Sequence, residues 1–133
     1  MINKPRIVIF GASRGGVSAY HYFKHEYEVI AFADNDNKKH GQSLLGKPVV
    51  SAKDLQTMQL DKIVIASLYA LQIHRQLVCD EGVDTALITR LPASFFDKAH
   101  PFYYAAGFIV AAVSIIVLFG FSSLIFYWLQ YIF

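Results

Sequence analysis

Residues 6–16 read Arg-Ile-Val-Ile-Phe-Gly-Ala-Ser-Arg-Gly-Gly, and this stretch decides the fold class. The β-branched and apolar run at its start is typical of a strand that is buried on both faces of a parallel sheet. The glycine-rich run that follows is typical of the tight turn between such a strand and a helix. An amphipathic pattern over residues 17–25 supplies that helix. The stretch therefore predicts the first strand and helix of an α/β domain.

Four further apolar runs repeat this pattern along the next 80 residues. We predict strands at 27–33, 47–50, 62–67 and 84–89, with a short helix ending at Met58 and a longer one over 68–81 that ends before Gly82. Strands that alternate with helices form parallel sheets with right-handed crossovers. We therefore predict a compact, doubly wound α/β domain over residues 1–92, with about five parallel strands in the order 3-2-1-4-5.

The composition changes abruptly after Lys98. All 12 Lys and Arg residues and all 10 Asp and Glu residues lie between Lys4 and Lys98. Residues 102–133 are almost wholly apolar and carry aromatic side chains at both ends. A membrane-spanning helix needs about 20 such residues, so we predict one transmembrane helix over 102–133 after a linker over 93–101. A shallow helical hairpin is the alternative. Because every basic residue precedes the span, the N-terminal domain is expected in the cytoplasm.

Composition also excludes several classes of protein. The hydrophobic fraction of 55% excludes a disordered chain. Cys79 is the sole cysteine, which excludes a disulfide scaffold and a cysteine-rich zinc site, and we predict it to be a buried structural residue. The net charge of +2 is small and the basic residues are not clustered, so no nucleic-acid partner is expected. No metal site is predicted.

The candidate ligand site lies at the carboxyl ends of the predicted strands, where open α/β sheets bind ligands. Backbone N–H groups at the start of the first helix favour a phosphate. Asp34 follows the second strand, where a carboxylate accepts hydrogen bonds from a ribose diol. Ser67 follows the fourth strand. The predicted ligand-binding residues are Gly11, Ala12, Ser13, Arg14, Gly15, Gly16, Asp34, Asn35, Asp36 and Ser67.

Each part of this site also has an interpretation without a ligand. The glycine-rich stretch could be a turn only, and Ser13 replaces the middle glycine of the dinucleotide fingerprint. Residues 34–36 could form a polar turn, since Asp and Asn favour turns for local reasons. Ser67 could cap the next helix.

A catalytic set of nucleophile, base and oxyanion-stabilising group is not evident in the sequence. Tyr20 and Lys24 have the Tyr-x-x-x-Lys spacing of short-chain dehydrogenases. They lie on the first helix, however, whereas those enzymes carry the pair on a much later one. We therefore predict a binding module rather than an enzyme.

Three stretches carry a resemblance to a known group of domains: IVIFGASRGG (7–16), EVIAFADNDNKKHGQSLLGKPVVSAKDL (28–55) and DKIVIAS (61–67). They resemble the Rossmann-like, CoA-binding-like domains of bacterial polysaccharide-synthesis proteins, which bind nucleotides or nucleotide sugars. Those domains are associated with nucleoside-diphosphate-sugar epimerases and dehydratases and with sugar-phosphate transferases. The resemblance covers residues 6–90 and implies that residues 11–16, residues 34–36 and Ser67 line a pocket for a nucleotide or nucleotide sugar. A dinucleotide such as NAD is the alternative cofactor.

The leading hypothesis is a single-pass protein of the bacterial inner membrane. Its cytoplasmic domain would bind a nucleotide or nucleotide sugar as an accessory or regulatory module of glycan synthesis. The alternatives are an NAD(H)-sensing regulatory subunit of a membrane partner such as a transporter, and a membrane scaffold that binds no ligand. Besides the lipid bilayer, we predict a membrane-protein partner or a second copy of the chain, held through the small-residue face Gly107, Ala111 and Ser114.

Overall fold

The computed structural model describes residues 3–97, which contain a six-stranded sheet with helices on both faces. The strand order is β3-β4-β2-β1-β5-β6, and adjacent strands are parallel except for the antiparallel pair β3 and β4. The five predicted strands therefore have the predicted order, and β3 is an addition at one edge. The strands are β1 (Arg6–Phe10), β2 (Glu28–Ala33), β3 (Ser43–Leu44), β4 (Lys47–Val50), β5 (Lys62–Ile65) and β6 (Ile88–Arg90).

Helical segments connect these strands. The α-helices are α1 (Arg14–Phe23), α2 (Ala70–Cys79) and the single-turn α3 (Ser94–Asp97). Short 3-10 helices cover Asn37–Lys39, Lys53–Thr57 and Thr85–Leu87. The predicted short helix before Met58 is thus a 3-10 helix. The first helix begins at Arg14 rather than at residue 17, so the second half of the glycine-rich stretch belongs to its first turn.

The core has two halves, one on each face of the sheet. Successive side chains of a strand point to opposite faces. Ile7 and Ile9 of β1 belong to a buried cluster on the α1 side, together with Ala19. Val8 and Phe10 belong to the cluster on the α2 side. Both halves of the core therefore depend on β1, which explains why residues 7–10 are all apolar.

A tight hairpin joins β3 to β4. Its two loop residues, Leu45 and Gly46, have φ angles of 51° and 73°. Positive φ at both positions is the pattern of a type I′ turn, which matches the twist of antiparallel strands. Leu45 is a poor residue for this conformation, because the left-handed region brings its Cβ close to the backbone. The side chain of Leu45 is also 42% exposed, so burial of this apolar group offsets little of that cost.

The last strand is shorter than predicted. We expected it to begin at Asp84, but β6 begins at Ile88. The Asp84 carboxylate accepts a hydrogen bond of 2.9 Å from the Ala86 backbone N–H and caps the 3-10 helix that precedes the strand. Residues 84–87 therefore do not pair in the sheet, because capping by the Asp84 side chain stabilises the 3-10 helix instead.

Cys79 is exposed, which corrects the prediction of a buried thiol. The buried face of α2 carries Ile73 and Leu77, which are four residues apart. A position two residues after Leu77 lies on the opposite side of an α-helix. The helix periodicity thus places Cys79 toward solvent.

Among residues 3–97, no helix is both long enough and apolar enough to cross a membrane. The predicted transmembrane helix over 102–133, with its small-residue face Gly107, Ala111 and Ser114, lies outside the described residues. Helix α3 falls within the stretch predicted as a linker, and its Phe95 and Phe96 pack against the core cluster on the α1 side.

Candidate functional site

A cleft of about 540 Å³ lies at the carboxyl ends of β1, β2 and β5, beside the first turns of α2. Parallel strands that end together leave their loops at one edge of the sheet, which is where open α/β sheets place ligands. The volume lies within the range of about 300–1,000 Å³ that is usual for small-molecule sites. The cleft is lined by Phe10, Gly11, Ser13, Asp34, Asn35, Lys39, Ser67, Tyr69, Gln72, Ile73 and Gln76.

The glycines of the turn between β1 and α1 are required by close backbone contacts. A Cβ on Gly16 would lie 1.8 Å from the carbonyl oxygen of Gly11. Gly11 has a φ of +122°, and a Cβ there would lie 2.7 Å from the carbonyl oxygen of Ala66. A Cβ on Gly15 would lie 2.9 Å from the same oxygen. The packing of β1, α1 and β5 therefore explains these glycines without a ligand.

Ser13 offers a polar group at the start of α1. It occupies the N-cap position with extended backbone angles, and its side chain makes no capping hydrogen bond. Ser13 also lines the cleft, where its hydroxyl can donate to or accept from a bound molecule. The first N–H groups of an α-helix have no partner within the helix and carry partial positive charge. Together these groups suit an anion.

Asp34 is the centre of a hydrogen-bond network that joins β2 to the glycine-rich turn. Its Oδ2 accepts a bond of 2.8 Å from the Ala12 backbone N–H and one of 2.9 Å from Lys39 Nζ. Its Oδ1 accepts a bond of 2.9 Å from the Asp36 backbone N–H. His40 Nε2 donates to the backbone carbonyl of Asp34 over 2.7 Å. The end of β2 is thus tied to the loop after it and to the loop after β1.

These contacts decide the charge of Asp34. Burial raises the pKa of its carboxyl group, but the hydrogen bonds from Asp36, Lys39 and Ala12 together with the Lys39 charge outweigh burial, and the net pKa lies below the ordinary value of 3.8. Asp34 is therefore ionised at neutral pH and forms an ion pair with Lys39. A ribose diol would have to share this carboxylate with donors that already occupy it, whereas a phosphate would find the Lys39 ammonium at the same edge.

Two amide side chains bridge the cleft from β2 to α2. Asn35 Nδ2 donates to Gln76 Oε1 over 2.7 Å, and Gln76 Nε2 donates to Asn35 Oδ1 over 3.1 Å. After β5, Ser67 Oγ accepts a bond of 3.2 Å from the Tyr69 N–H. Ser67 thus forms the turn before α2 and also lines the cleft.

The structure brings together part of the predicted set of ligand-binding residues. Gly11, Ser13, Asp34, Asn35 and Ser67 line the cleft.

The other members of the set are not among the residues that line the cleft. Asp36 is exposed, and its carboxylate accepts a 3.0 Å bond from the Lys38 N–H as the cap of a 3-10 helix. Ala12 contributes its N–H to Asp34, and Gly15 and Gly16 face the packed backbone. Arg14 is exposed on the first turn of α1. The binding role of the set stays a prediction.

One wall of the cleft was missed from the sequence. Tyr69, Gln72, Ile73 and Gln76 of the α2 region lie at spacings of three and four residues, which places them on one face of a helix. The polar pair at positions 72 and 76 beside Ile73 was the available signal. The position of Lys39 in the cleft was missed because it depends on the 3-10 helix, which brings the Lys39 ammonium group next to the Asp34 carboxylate.

Metal binding has no support within residues 3–97, where no three His, Cys, Asp or Glu side chains converge.

The fold and the cleft define a Rossmann-like α/β domain, and solved structures share this fold. UDP-D-quinovosamine 4-dehydrogenase from Vibrio fischeri is 21% identical with a TM-score of 0.54, over 67% of this chain and 79% of that chain. RSP, a Rex-family repressor, is 10% identical with a TM-score of 0.51, over 88% of this chain and 64% of that chain. RSP in complex with beta-NADH gives the same score and identity over 65% of its chain. At these identities the likeness shows the fold alone.

The sequence itself places the chain in a family. The model of the family described as C2185-like, N-terminal, matches residues 3–89, and the chain belongs to this family. No curated protein matches the sequence.

Proposed function

We propose that the described domain binds a nucleotide or nucleotide sugar in the cleft, as an accessory or regulatory module of a membrane enzyme of glycan synthesis. One observation carries the proposal. One cleft of about 540 Å³ is lined by Ser13 at the N-cap of α1, by the Asp34–Lys39 ion pair and by the amide side chains on α2. The helix N-terminus and Lys39 suit a phosphate, and the amides suit the hydrogen-bonding edges of a base or sugar.

Membrane anchoring is the second part of the proposal. It is supported by residues 102–133, whose 32 residues lack Lys, Arg, Asp and Glu and exceed the length of about 20 that a span requires. Since the basic residues precede this segment, the domain would lie on the cytoplasmic side of a bacterial inner membrane. A membrane-protein partner, or a second copy of the chain, would contact the face of Gly107, Ala111 and Ser114.

NAD(H) sensing is the second candidate function. The fold is similar to that of RSP, which has been solved in complex with beta-NADH. A dinucleotide would place its pyrophosphate at the start of α1 and a ribose beside Asp34. Two observations weaken the match to a dinucleotide site: Ser13 stands where the fingerprint has its middle glycine, and the Asp34 carboxylate already accepts three hydrogen bonds.

Thermal unfolding of the full chain in detergent, against UDP-sugars, nucleotides, coenzyme A, NAD(H) and NADP(H), tests these functions. A ligand at 100 times its dissociation constant adds about 2.7 kcal/mol to the free energy of unfolding. We expect a rise in Tm with a UDP-sugar or another mononucleotide. A rise with NADH alone would favour the second candidate. No rise with any compound would contradict both and favour the scaffold.

A matched pair of variants shows where the ligand binds. Ser13→Tyr places a ring at the mouth of the cleft on backbone that is already extended, so the fold should tolerate it. Ser43→Tyr adds the same ring on the exposed hairpin strand β3. The ligand-dependent rise in Tm should vanish in the first variant and persist in the second. Equal rises in both variants would place the ligand elsewhere.

A further inference from the structure

An exposed apolar patch follows the end of β5. Leu68, Tyr69 and Leu71 are 76%, 68% and 72% exposed. Leu68 and Tyr69 precede α2, and Leu71 lies in its first turn. We call these three residues the apolar patch.

The apolar patch does not belong to the hydrophobic core of the domain. The buried face of α2 carries Ile73 and Leu77, not Leu71. Tyr69 lines the cleft, whereas Leu68 and Leu71 do not. Grouped, exposed apolar side chains are typical of surfaces that contact a membrane or another molecule.

The described part of the chain ends near the carboxyl end of β5, the strand that precedes the apolar patch. The Phe96 ring and the Ala66 carbonyl oxygen both lie 2.9 Å from the position that a Cβ would take on Gly15. The apolar patch begins two residues after Ala66. Phe96 therefore brings the outgoing chain to the carboxyl edge of the sheet, which is the edge that carries the patch.

The length of the outgoing chain limits how far this edge can lie from a membrane. Five residues, 97–101, separate Phe96 from the apolar segment that begins at Phe102. An extended chain covers about 3.5 Å per residue, so the six steps from Phe96 to Phe102 span about 21 Å at most. If residues 102–133 are inserted in a bilayer, the link keeps Phe96 within about that distance of the lipid surface.

We propose that the apolar patch inserts into the headgroup region of the bilayer in which the chain is anchored. The proposal rests on the membrane anchoring under Proposed function. Leucine side chains suit the acyl boundary, and tyrosine is enriched at membrane interfaces because its ring is apolar and its hydroxyl is polar. Arg90 lies at the same carboxyl edge and is exposed, which suits anionic lipid headgroups.

This contact would orient the cleft. Tyr69 belongs both to the apolar patch and to the cleft wall. An inserted patch therefore holds the mouth of the cleft at the lipid surface, where a ligand is presented to an enzyme in the same membrane.

Site-directed spin labelling of the full chain tests the proposal. The chain is reconstituted into vesicles of phosphatidylcholine and phosphatidylglycerol, with Cys79→Ser to remove the native thiol. A nitroxide is attached through Leu68→Cys or Leu71→Cys, and Glu26→Cys serves as the control at the opposite edge of the sheet. Collision rates are measured with oxygen, which partitions into lipid, and with a water-soluble nickel chelate.

We expect labels at positions 68 and 71 to collide at least several-fold more with oxygen relative to nickel than the label at position 26. Nickel access at 68 and 71 equal to that at 26 overturns the proposal. Labels that are immobilised and shielded from both reagents also overturn it and indicate a protein partner. Carbonate extraction of the same vesicles separates the two proposals: an extracted chain refutes the anchoring and with it the insertion, whereas a retained chain with water-exposed labels refutes the insertion alone.

Discussion

Replacing Asp34 by asparagine should destabilise the domain far more than a change of one atom suggests. The two carboxylate oxygens of Asp34 accept hydrogen bonds from the Ala12 and Asp36 backbone N–H groups and from Lys39 Nζ. An asparagine keeps one acceptor oxygen and turns the other into an NH₂ donor. In either orientation of the amide, at least one backbone N–H then faces another donor.

The expected magnitude follows from these bonds. A hydrogen bond to a charged group contributes about 1.5–3 kcal/mol, and an ion pair as exposed as that of Lys39 contributes up to about 1 kcal/mol. Losing one backbone bond and the ion pair should therefore lower the free energy of unfolding by about 2–4 kcal/mol. For a domain of this size, that corresponds to a fall in Tm of about 8 °C or more.

The fall in Tm would be measured on the full chain in detergent by near-ultraviolet circular dichroism, with hydrogen exchange of the peptide covering residues 11–16 as a local measurement. Asp84→Asn is the matched control, since Asp84 caps an exposed 3-10 helix and asparagine is an equally good cap. Its Tm should change by less than about 2 °C. If Asp34→Asn unfolds at the temperature of Asp84→Asn, the assignment of a structural role to the Asp34 network is wrong.

Three further predictions concern other backbone and charge contacts. Gly16→Ala should lower the free energy of unfolding by about 3 kcal/mol or more, because its Cβ would lie 1.8 Å from the Gly11 oxygen; chemical denaturation measures the loss. Leu45→Asn should raise stability by about 1 kcal/mol in the same assay, because asparagine tolerates the left-handed region. Lys39→Met should raise the pKa of Asp34, followed by ¹³C NMR of the carboxyl carbon. Ionised Asp34 stabilises the fold above its unfolded pKa of about 3.8, and this stability is lost as the pH falls toward the lower folded pKa. Because the folded pKa of Asp34 is closer to 3.8 in Lys39→Met, acid should lower the free energy of unfolding of the variant by a smaller amount.

Each of these predictions has a control in the same part of the chain. Ser18→Ala on α1 should leave stability nearly unchanged, and an equal loss would mean that α1 is sensitive to any change. Leu45→Ala should not stabilise the hairpin, since alanine has the same Cβ in the left-handed region; a gain would refute the strain argument. Lys38→Met removes an exposed amine and should leave the Asp34 pKa unchanged, and an equal rise would show that the ion pair is not its cause.

The order of the main strands could be predicted because it follows the usual topology of doubly wound sheets. Strands β1, β2 and β5 could be located because each contains an uninterrupted apolar run, as in Ile7–Phe10 and Ile63–Ile65. Such runs mark strands that are buried on both faces. The hairpin strand β3 could not be predicted, because its two residues give no periodic signal and its register depends on the turn at Leu45 and Gly46. The start of β6 was missed because a cap at Asp84 competes with pairing in the sheet.

The candidate site could be predicted as a location but not as a network. The glycine-rich turn, Asp34 and Ser67 were found because each follows a strand, and strand ends meet at one edge. That Asp34 bonds to Ala12, 22 residues away, depends on a distance that only the folded chain defines. The cleft wall formed by α2 depends on how that helix is rotated about its axis. The pattern of apolar residues predicts which side of α2 is buried, but not which polar side chains face the cleft.

The small strand β3 also determines how the sheet meets other copies of the chain. Without it, β4 would expose a row of peptide groups along one side, and such open edges recruit strands from other polypeptides. The hairpin covers β4, and β3 itself offers only two residues along its outer side. At the other end of the sheet, β6 offers three. Short edge strands such as these disfavour pairing with strands of other chains.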